Sequence, residues 1–221
     1  MTHSINNFRN YSNFKAMYDI PIYKEEDEKK ILQFLKENPF VLITGVDSKG
    51  KPVATQIPIC IEKRGEELYL LGHLMKATDH YKAFIENKNV LAVATGANGY
   101  VSASWYSNSN KASTWNYMSV HMQGTLTYFE GEQLVTLMKR FTLEHEGGKT
   151  TSPTIYDNLP KKYINRLMPQ IIGFEIKVEQ LDTVFKLSQE LDKESYSNVI
   201  HKLEEKGGTN AILALAMKKR I

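Results

Sequence analysis

The chain of 221 residues is long enough for one large or two small domains with a substantial buried core. Its 28 basic and 25 acidic residues leave a net charge of only +3, and no run of like charge is long enough to form a nucleic-acid-binding arm. The single cysteine, Cys60, excludes an internal disulfide and argues against a zinc-type cluster.

The N-terminal residues contain no apolar core segment of the kind that a signal peptide carries, and no later apolar run approaches the length of a membrane span. We therefore expect a cytoplasmic protein that does not enter a membrane. The first 22 residues are rich in Asn and Ser, and they are predicted to form an extended arm. Three aromatic side chains could pin this arm to the rest of the protein: Phe8, Tyr11 and Phe14.

A helix is predicted directly after the arm. The acidic residues at positions 25–28 favour a helix start because they lie at the positive end of the helix dipole. Ile31, Leu32 and Leu35 have the spacing of a buried helical stripe, and Asn38 followed by proline ends the helix.

Three strands are predicted next, over residues 40–46, 52–62 and 67–73. Pro58 lies inside the second strand, and it predicts a free edge or a bulge there because proline has no backbone N–H to donate to a neighbouring strand. Cys60 lies in the same apolar pattern, which favours a buried side chain over a reactive thiol.

The chain around Lys76 and Thr78 combines the end of a strand with the start of a helix. Free backbone N–H groups and the helix dipole favour an anion at such a helix start, and a phosphate would fit there. The alternative is that Thr78 only caps the helix and that Lys76 is a solvated surface charge. The residues alone leave both interpretations open.

Residues 100–123 form an aromatic-rich stretch of the chain. They include both tryptophans, Trp105 and Trp115, with hydroxyl and amide side chains between the rings. Flat rings interleaved with hydrogen-bonding groups suit a planar ligand with polar edges, but an aromatic hairpin that packs on itself would show the same pattern. A strand over residues 90–95 and a turn at residues 96–99 are predicted to precede this stretch.

The C-terminal half continues with helices and one more strand. An amphipathic pattern predicts a helix over residues 132–144, and alternation predicts a strand over residues 171–178. Further helices are predicted over residues 160–168 and 193–205, with a last helix capped by Thr209. A glycine-rich segment, GGKTTSP, lacks the first glycine of a phosphate loop and follows a helix, so a nucleoside-triphosphate site is excluded there.

About seven strands, mostly sequential and antiparallel, close most readily into a small Greek-key or split barrel with helices outside. The predicted fold class is therefore mainly β with peripheral helices and C-terminal helices. The predicted domains are an N-terminal arm (residues 1–22), a split-barrel domain (23–180) and a C-terminal helical extension packed on the barrel (181–221). No glycine-rich fingerprint opens a helix after a strand, which argues against a Rossmann dinucleotide site.

Five strings in this chain occur in the same order in one known family: ATQIPI (54–59), LLGHLMKA (70–77), GYVSASWY (99–106), STWNYMSVH (113–121) and FKLSQ (185–189). With them the chain resembles the PaiB-type FMN-binding proteins, often called FMN-binding negative transcriptional regulators. The resemblance covers most of the chain, and the paired SxSWY and TWNY strings are its most specific part. It implies a pyridoxamine-oxidase-like FMN-binding split β-barrel that works as a homodimer, with FMN at the subunit interface.

The resemblance also implies two groups of cofactor-binding residues. The first group surrounds the FMN phosphate and offers backbone groups to the flavin edge: Thr55, Gln56, Ile57, Gly72, His73, Lys76, Ala77 and Thr78. The second group walls the flavin pocket from the same or the opposite subunit: Trp105, Tyr106, Thr114, Trp115, Asn116 and Tyr117. It leaves the catalytic residues unknown and implies no metal site.

The chain departs from the family pattern at four positions: Lys76 for arginine, Asn98 for histidine, Ala103 for proline or serine, and Ser113 for proline. Lysine keeps the charge of arginine but cannot make its bidentate hydrogen bonds to two phosphate oxygens, so weaker phosphate binding is predicted. The polar loop at residues 107–113 loses a conformational restraint without its proline.

Three functions remain open from the sequence. The family name favours a flavin-dependent regulatory protein, although no helix-turn-helix and no basic face predict direct nucleic-acid binding. A flavin-dependent oxidoreductase or flavin reductase for a small molecule is the second, because the hydride chemistry would belong to the cofactor. A haem-binding barrel with His73 or His121 as axial ligand is the third.

Overall fold

The computed structural model of the protein describes residues 18, 20–108 and 110–220. The predicted contacts of Phe8, Tyr11 and Phe14 lie outside the described residues. Within them the strands are β1 (Phe40–Val46), β2 (Pro52–Pro58), β3 (Cys60–Arg64), β4 (Glu67–Met75), β5 (Asn89–Val101), β6 (Thr114–Phe129) and β7 (Ile171–Lys186). The α-helices are α1 (Glu28–Glu37), α2 (Asp79–Glu86), α3 (Glu132–His145), α4 (Lys161–Leu167), α5 (Lys193–Lys206) and α6 (Gly208–Lys218).

Two compact units make up the described chain. The barrel unit contains residues 39–93 and 122–180, and the helical unit contains the described parts of residues 1–38, 94–121 and 181–221. Strands β5, β6 and β7 contribute residues to both. The predicted domain boundaries after residues 22 and 180 remain a prediction, and β7 runs through the second of them.

The seven strands form one sheet in the order β2-β1-β5-β6-β7-β4-β3. The pairs β1–β2, β1–β5, β3–β4 and β4–β7 are all antiparallel. In the barrel unit, β2 and β3 lie at opposite ends of this order, yet only Ile59 separates them in sequence. One residue cannot span a flat sheet, so the two edges must curve towards each other, as they do in a barrel.

The single strand predicted over residues 52–62 is wrong, because the structure divides it into β2 and β3. The break follows Pro58, and the next N–H group, that of Ile59, donates to the carbonyl oxygen of Pro39 at 2.9 Å. The free edge predicted from Pro58 is confirmed, since β2 is an edge strand of the sheet. Proline therefore marks the point at which the chain leaves one sheet edge and joins the other.

The turn predicted at residues 96–99 is also wrong, because β5 is continuous from Asn89 to Val101. Gly96 serves close packing instead: a Cβ atom at this position would lie 2.5 Å from Cε2 of Phe34. In α1 the buried side chains are Ile31, Phe34 and Leu35. The predicted stripe thus missed Phe34 and included Leu32, which is only half-buried.

The core of the helical unit lies mainly between α5 and α6. Its buried side chains are Val101, Leu187, Val199, Ile200, Leu203, Leu213, Ala214 and Met217. Gly207 joins the two helices with a φ of +66°, a conformation that glycine adopts without strain. Because α6 begins at Gly208, Thr209 lies inside the helix, and its predicted capping role is wrong.

Candidate functional site

The start of α2 is the predicted phosphate site. Thr78 caps the helix: its hydroxyl oxygen accepts from the Tyr81 N–H at 3.3 Å and donates to the Met75 carbonyl at 2.8 Å. Asp79 accepts from the His80 N–H at 2.8 Å. The capping interpretation of Thr78 is therefore confirmed, and two of the helix amides already have acceptors.

Lys76 is more than a solvated charge, because its ammonium group pairs with the carboxylate of Glu130. Both side chains line a groove of about 400 Å³ in the barrel unit. The groove is otherwise mostly apolar, and its other lining residues are Gly131, Leu134, Val135, Tyr156, Ile164, Asn165, Met168, Pro169 and Ile171. A cation at an apolar groove suits an anionic group on a larger ligand.

His73 lies on β4, three residues before Lys76. Burial lowers the pKa of His73, so the ring is neutral at neutral pH. Its Nδ1 atom is buried and has no hydrogen-bond partner among the described residues, and its ring meets that of Phe141 edge-on at 5.5 Å. A buried polar atom without a partner costs free energy, and a ligand or water that bonded to it would remove that cost.

Gly72 and residues 55–57 are predicted site residues at which the backbone, rather than a side chain, would face the ligand. A Cβ atom at Gly72 would lie 2.6 Å from Cζ of Phe174, so the glycine permits close packing. Thr55, Gln56 and Ile57 lie on the edge strand β2, which pairs only with β1. Because alternate residues of an edge strand direct their N–H and C=O groups away from the sheet, this stretch can offer backbone donors and acceptors to a ligand.

The predicted aromatic wall lies in the helical unit, on β6 and just before it. Asn116 is fully buried, and its amide is bonded in both directions to Ser188: its Nδ2 donates to Oγ at 2.8 Å, and its Oδ1 accepts from Oγ at 3.1 Å. Asn116 therefore already has internal hydrogen-bond partners.

Trp115 has a different environment from Asn116. Its side chain is 53% exposed, its indole N–H donates to Asn98 Oδ1 at 3.3 Å, and its ring lies 6.4 Å from that of Tyr100. These three residues form an exposed aromatic surface. Asn98, one of the departures from the family pattern, thus holds the indole of a predicted ligand contact.

Trp105 and Tyr106 pack on the core of the helical unit. The Nζ atom of Lys206 lies 4.6 Å from the centre of the Trp105 ring, a cation–π contact. Trp105 and Tyr106 therefore contribute to packing whatever else they contact.

The sequence did not single out Lys186, which contacts the predicted site. Lys186 Nζ donates to Thr114 Oγ1 at 2.5 Å. Tyr117, another predicted contact, meets the ring of Tyr18 edge-on at 6.4 Å. The signal that could have identified Lys186 was its place in the FKLSQ string, where it is the one charged residue.

The two groups of site residues that the family resemblance implies lie in different units of the structure. The phosphate group lies in the barrel unit and the aromatic group in the helical unit. Their role in cofactor binding remains a prediction. No set of three or more His, Cys, Asp or Glu side chains in the described part of the chain could hold a metal ion.

Cys60 is buried, as its apolar strand pattern predicts. Its Sγ lies 3.2 Å from Glu144 Oε2. Burial, and then the hydrogen bond to Glu144, raise the pKa of the thiol to about 12. The thiol is therefore not a nucleophile near neutral pH.

Comparison with known proteins identifies the family. Residues 17–180 match the family described as "Putative FMN-binding domain". The chain belongs to this family. It is also 32% identical, over 195 residues, to "Protease synthase and sporulation protein PAI 2" of Bacillus subtilis (strain 168), a match that covers 88% of this chain and 93% of that protein. The resemblance to the PaiB-type FMN-binding proteins is thereby confirmed, and FMN is the cofactor that the family description names.

Solved structures confirm the fold class. The flavocytochrome Anf3 from Azotobacter vinelandii matches with a TM-score of 0.56 and 17% identity, over 84% of this chain and 80% of that one. The FAD and heme binding protein from Mycobacterium smegmatis matches with a TM-score of 0.53 and 16% identity, over 79% of each chain. At these identities the likeness shows the fold, a mainly β split barrel with peripheral helices. None of the helices in the described ranges is both long and apolar enough to span a bilayer.

Proposed function

We propose that this protein binds FMN, with the phosphate at the start of α2 and the edge of the flavin ring at β2. The observation that carries the proposal is the Lys76 ammonium group, which lies at an apolar groove two residues before Thr78, the N-cap of α2. Six consecutive residues contain the unpaired nitrogen of His73, the ammonium group of Lys76 and the capped helix start at Thr78. When bound, FMN would supply its own redox chemistry, and the protein would supply binding and orientation.

Lys76 would provide the charge for the phosphate. The amides of His80 and Tyr81 already have acceptors in Asp79 and Thr78, so the backbone contacts would come from the amides that precede them. The Glu130 carboxylate holds the Lys76 ammonium, and a phosphate would have to displace it. Because like charges repel, Glu130 would lower the affinity for FMN.

We propose further that the protein is a homodimer with FMN at the subunit interface. The exposed aromatic surface formed by Asn98, Tyr100 and Trp115 supports this, since Tyr100 is 46% and Trp115 is 53% exposed. Large exposed aromatic residues are typical of protein–protein interfaces. The aromatic wall would then close the pocket of the partner subunit.

A regulatory role is the finer part of the proposal. The Bacillus subtilis relative is named for protease synthase and sporulation, and the family resemblance is to negative transcriptional regulators. With a net charge of only +3, the protein would act without direct DNA contact. Flavin-dependent reduction of a small molecule is the alternative role for the same bound cofactor.

Haem binding is a second candidate for the ligand. The unpaired Nδ1 of His73 favours it, because an axial ligand needs a neutral imidazole with a free nitrogen. Burial lowers the pKa of His121 as well, and the charges of Asp182 and Lys24 shift this pKa in opposite directions.

FMN titration of the purified protein, followed by flavin fluorescence, tests the proposed site. We expect Lys76→Ala to weaken FMN binding at least tenfold and the added substitution Trp115→Ala to weaken it further. Glu130→Gln should strengthen FMN binding several-fold. Lys82→Ala, which removes an exposed lysine from α2, is the matched control and should bind as the wild type does. Stoichiometric FMN binding by the Lys76→Ala/Trp115→Ala double variant would place the pocket elsewhere.

A further inference from the structure

Lys186 lies in an unusual environment for a lysine. It ends β7 and is half-buried, and its ammonium group lies 5.5 Å from the ring centre of Tyr18 and 5.9 Å from that of Tyr23. The rings of Tyr18 and Tyr23 are 6.1 Å apart and tilted by 43°. Two aromatic rings thus flank one cation, and both make cation–π contacts with it.

No carboxylate neutralises this cation within the described ranges. None of the ion pairs includes Lys186, whereas Lys24, on the same segment as Tyr23, pairs with Asp182 at 2.5 Å. The acidic residue that joins the cluster is Glu190, and its carboxylate accepts from the Tyr23 hydroxyl at 3.3 Å. A half-buried ammonium group that lies between aromatic rings and makes no ion pair with a described residue can pair with an external anion.

The hydrogen-bond directions show which anion would fit. An ammonium group has three N–H donors, and Lys186 uses one of them on Thr114 Oγ1 at 2.5 Å. Because that oxygen accepts from Lys186, the Thr114 O–H is left to donate to another acceptor. Two donors that lie this close together match the two oxygens of one carboxylate.

The aromatic rings add a preference for a flat ligand. Burial, then the charge of Glu190, raise the pKa of Tyr23 to about 12, and burial also raises that of Tyr117. Both phenols are therefore neutral at neutral pH and do not repel an anion. Their faces and edges suit stacking with a conjugated ring.

We propose that Lys186 and Thr114, flanked by Tyr18 and Tyr23, form a binding site for a planar aromatic carboxylate. The carboxylate would bond to the Lys186 ammonium and the Thr114 hydroxyl, and its ring would pack against the tyrosines. Thr114 also belongs to the predicted flavin wall. If the protein binds FMN as proposed above, a planar aromatic carboxylate is therefore the class of substrate that would lie beside the flavin.

Benzoate is the probe, and its binding is measured by calorimetry on the full chain, first without FMN and then with FMN added. We expect benzoate to bind more tightly than acetate or inorganic phosphate. Lys186→Met should weaken it at least tenfold, and Thr114→Val should weaken it several-fold. The matched control is Lys206→Met, which removes another lysine that lies over an aromatic ring. It should leave the affinity for benzoate unchanged.

The two titrations, without and with FMN, distinguish failure of this site from failure of the FMN site. Lys186-dependent benzoate binding in a protein that takes up no FMN would support the site while removing the proposed function. FMN binding without benzoate binding would overturn the site alone, and so would competition between benzoate and FMN. Unchanged benzoate affinity in a folded Lys186→Met variant with a lowered unfolding midpoint would show that Lys186 only tethers the segment around Tyr18 and Tyr23.

Discussion

Asn116 shows what a sequence can and cannot establish at the scale of one residue. Its string, TWNY, identified the family, and the same string predicted a flavin contact. The partner of its buried amide is Ser188, which lies 72 positions later and adopts a φ of +62° that is uncommon outside glycine. Side-chain orientation on β6 depends on such distant partners, so no local pattern could have predicted it.

Replacing Asn116 tests whether this pair is structural. Asn116→Ala would leave the buried Ser188 hydroxyl without its partner, and we expect the free energy of unfolding to fall by about 1–3 kcal/mol. Urea denaturation followed by circular dichroism measures this change. Asn98→Ala, at an exposed asparagine one strand away, should change stability by less than about 0.5 kcal/mol. An equal effect of the two substitutions would contradict the structural role of the pair.

At the scale of secondary structure, most helices were predictable and strand ends were less so. The predicted bounds of α3, α4 and α5 agree with the structure to within a residue or two. Buried apolar side chains at helical spacing explain this for α3 and α5, whereas no residue of α4 is buried. Glycine caused one of the errors in the strands. Gly96 was interpreted as a turn residue. In the structure it is a strand residue that lacks a side chain because the ring of Phe34, 62 positions earlier, occupies the space that a Cβ atom would need.

Gly96→Ala tests this explanation. The added methyl group would meet Phe34, whose ring also packs against Phe185 at 5.0 Å and cannot easily move. We expect a loss of about 1–3 kcal/mol in the free energy of unfolding. In a double-mutant cycle measured by urea denaturation, Phe34→Leu should reduce that loss, because it removes the crowded ring atoms. Additive effects in the cycle would show that Gly96 and Phe34 do not act on each other.

At the scale of the whole molecule, the number and order of the strands predicted a small Greek-key or split barrel, and the family resemblance implied the split barrel. Pairing order was not predictable from the residues, because the alternation of β2 fixes which side chains are buried but not which strand lies beside it. Pro58 was the local indication of how the sheet closes. From the sequence it predicted only a free edge or a bulge, and the structure adds that β3, which follows it, lies at the other end of the strand order. The family strings, rather than any periodicity, connected the fold to FMN.

FMN binding by the purified full chain is tested by its absorbance spectrum, recorded before FMN is added and again after free flavin has been removed by gel filtration. The FMN-binding account predicts the two visible bands of a flavin and about one FMN retained per chain, in a peak that elutes as a dimer. A Soret band would show that the ligand is haem. A colourless protein after incubation with excess FMN would contradict the claim that this chain binds the cofactor for which its family is described.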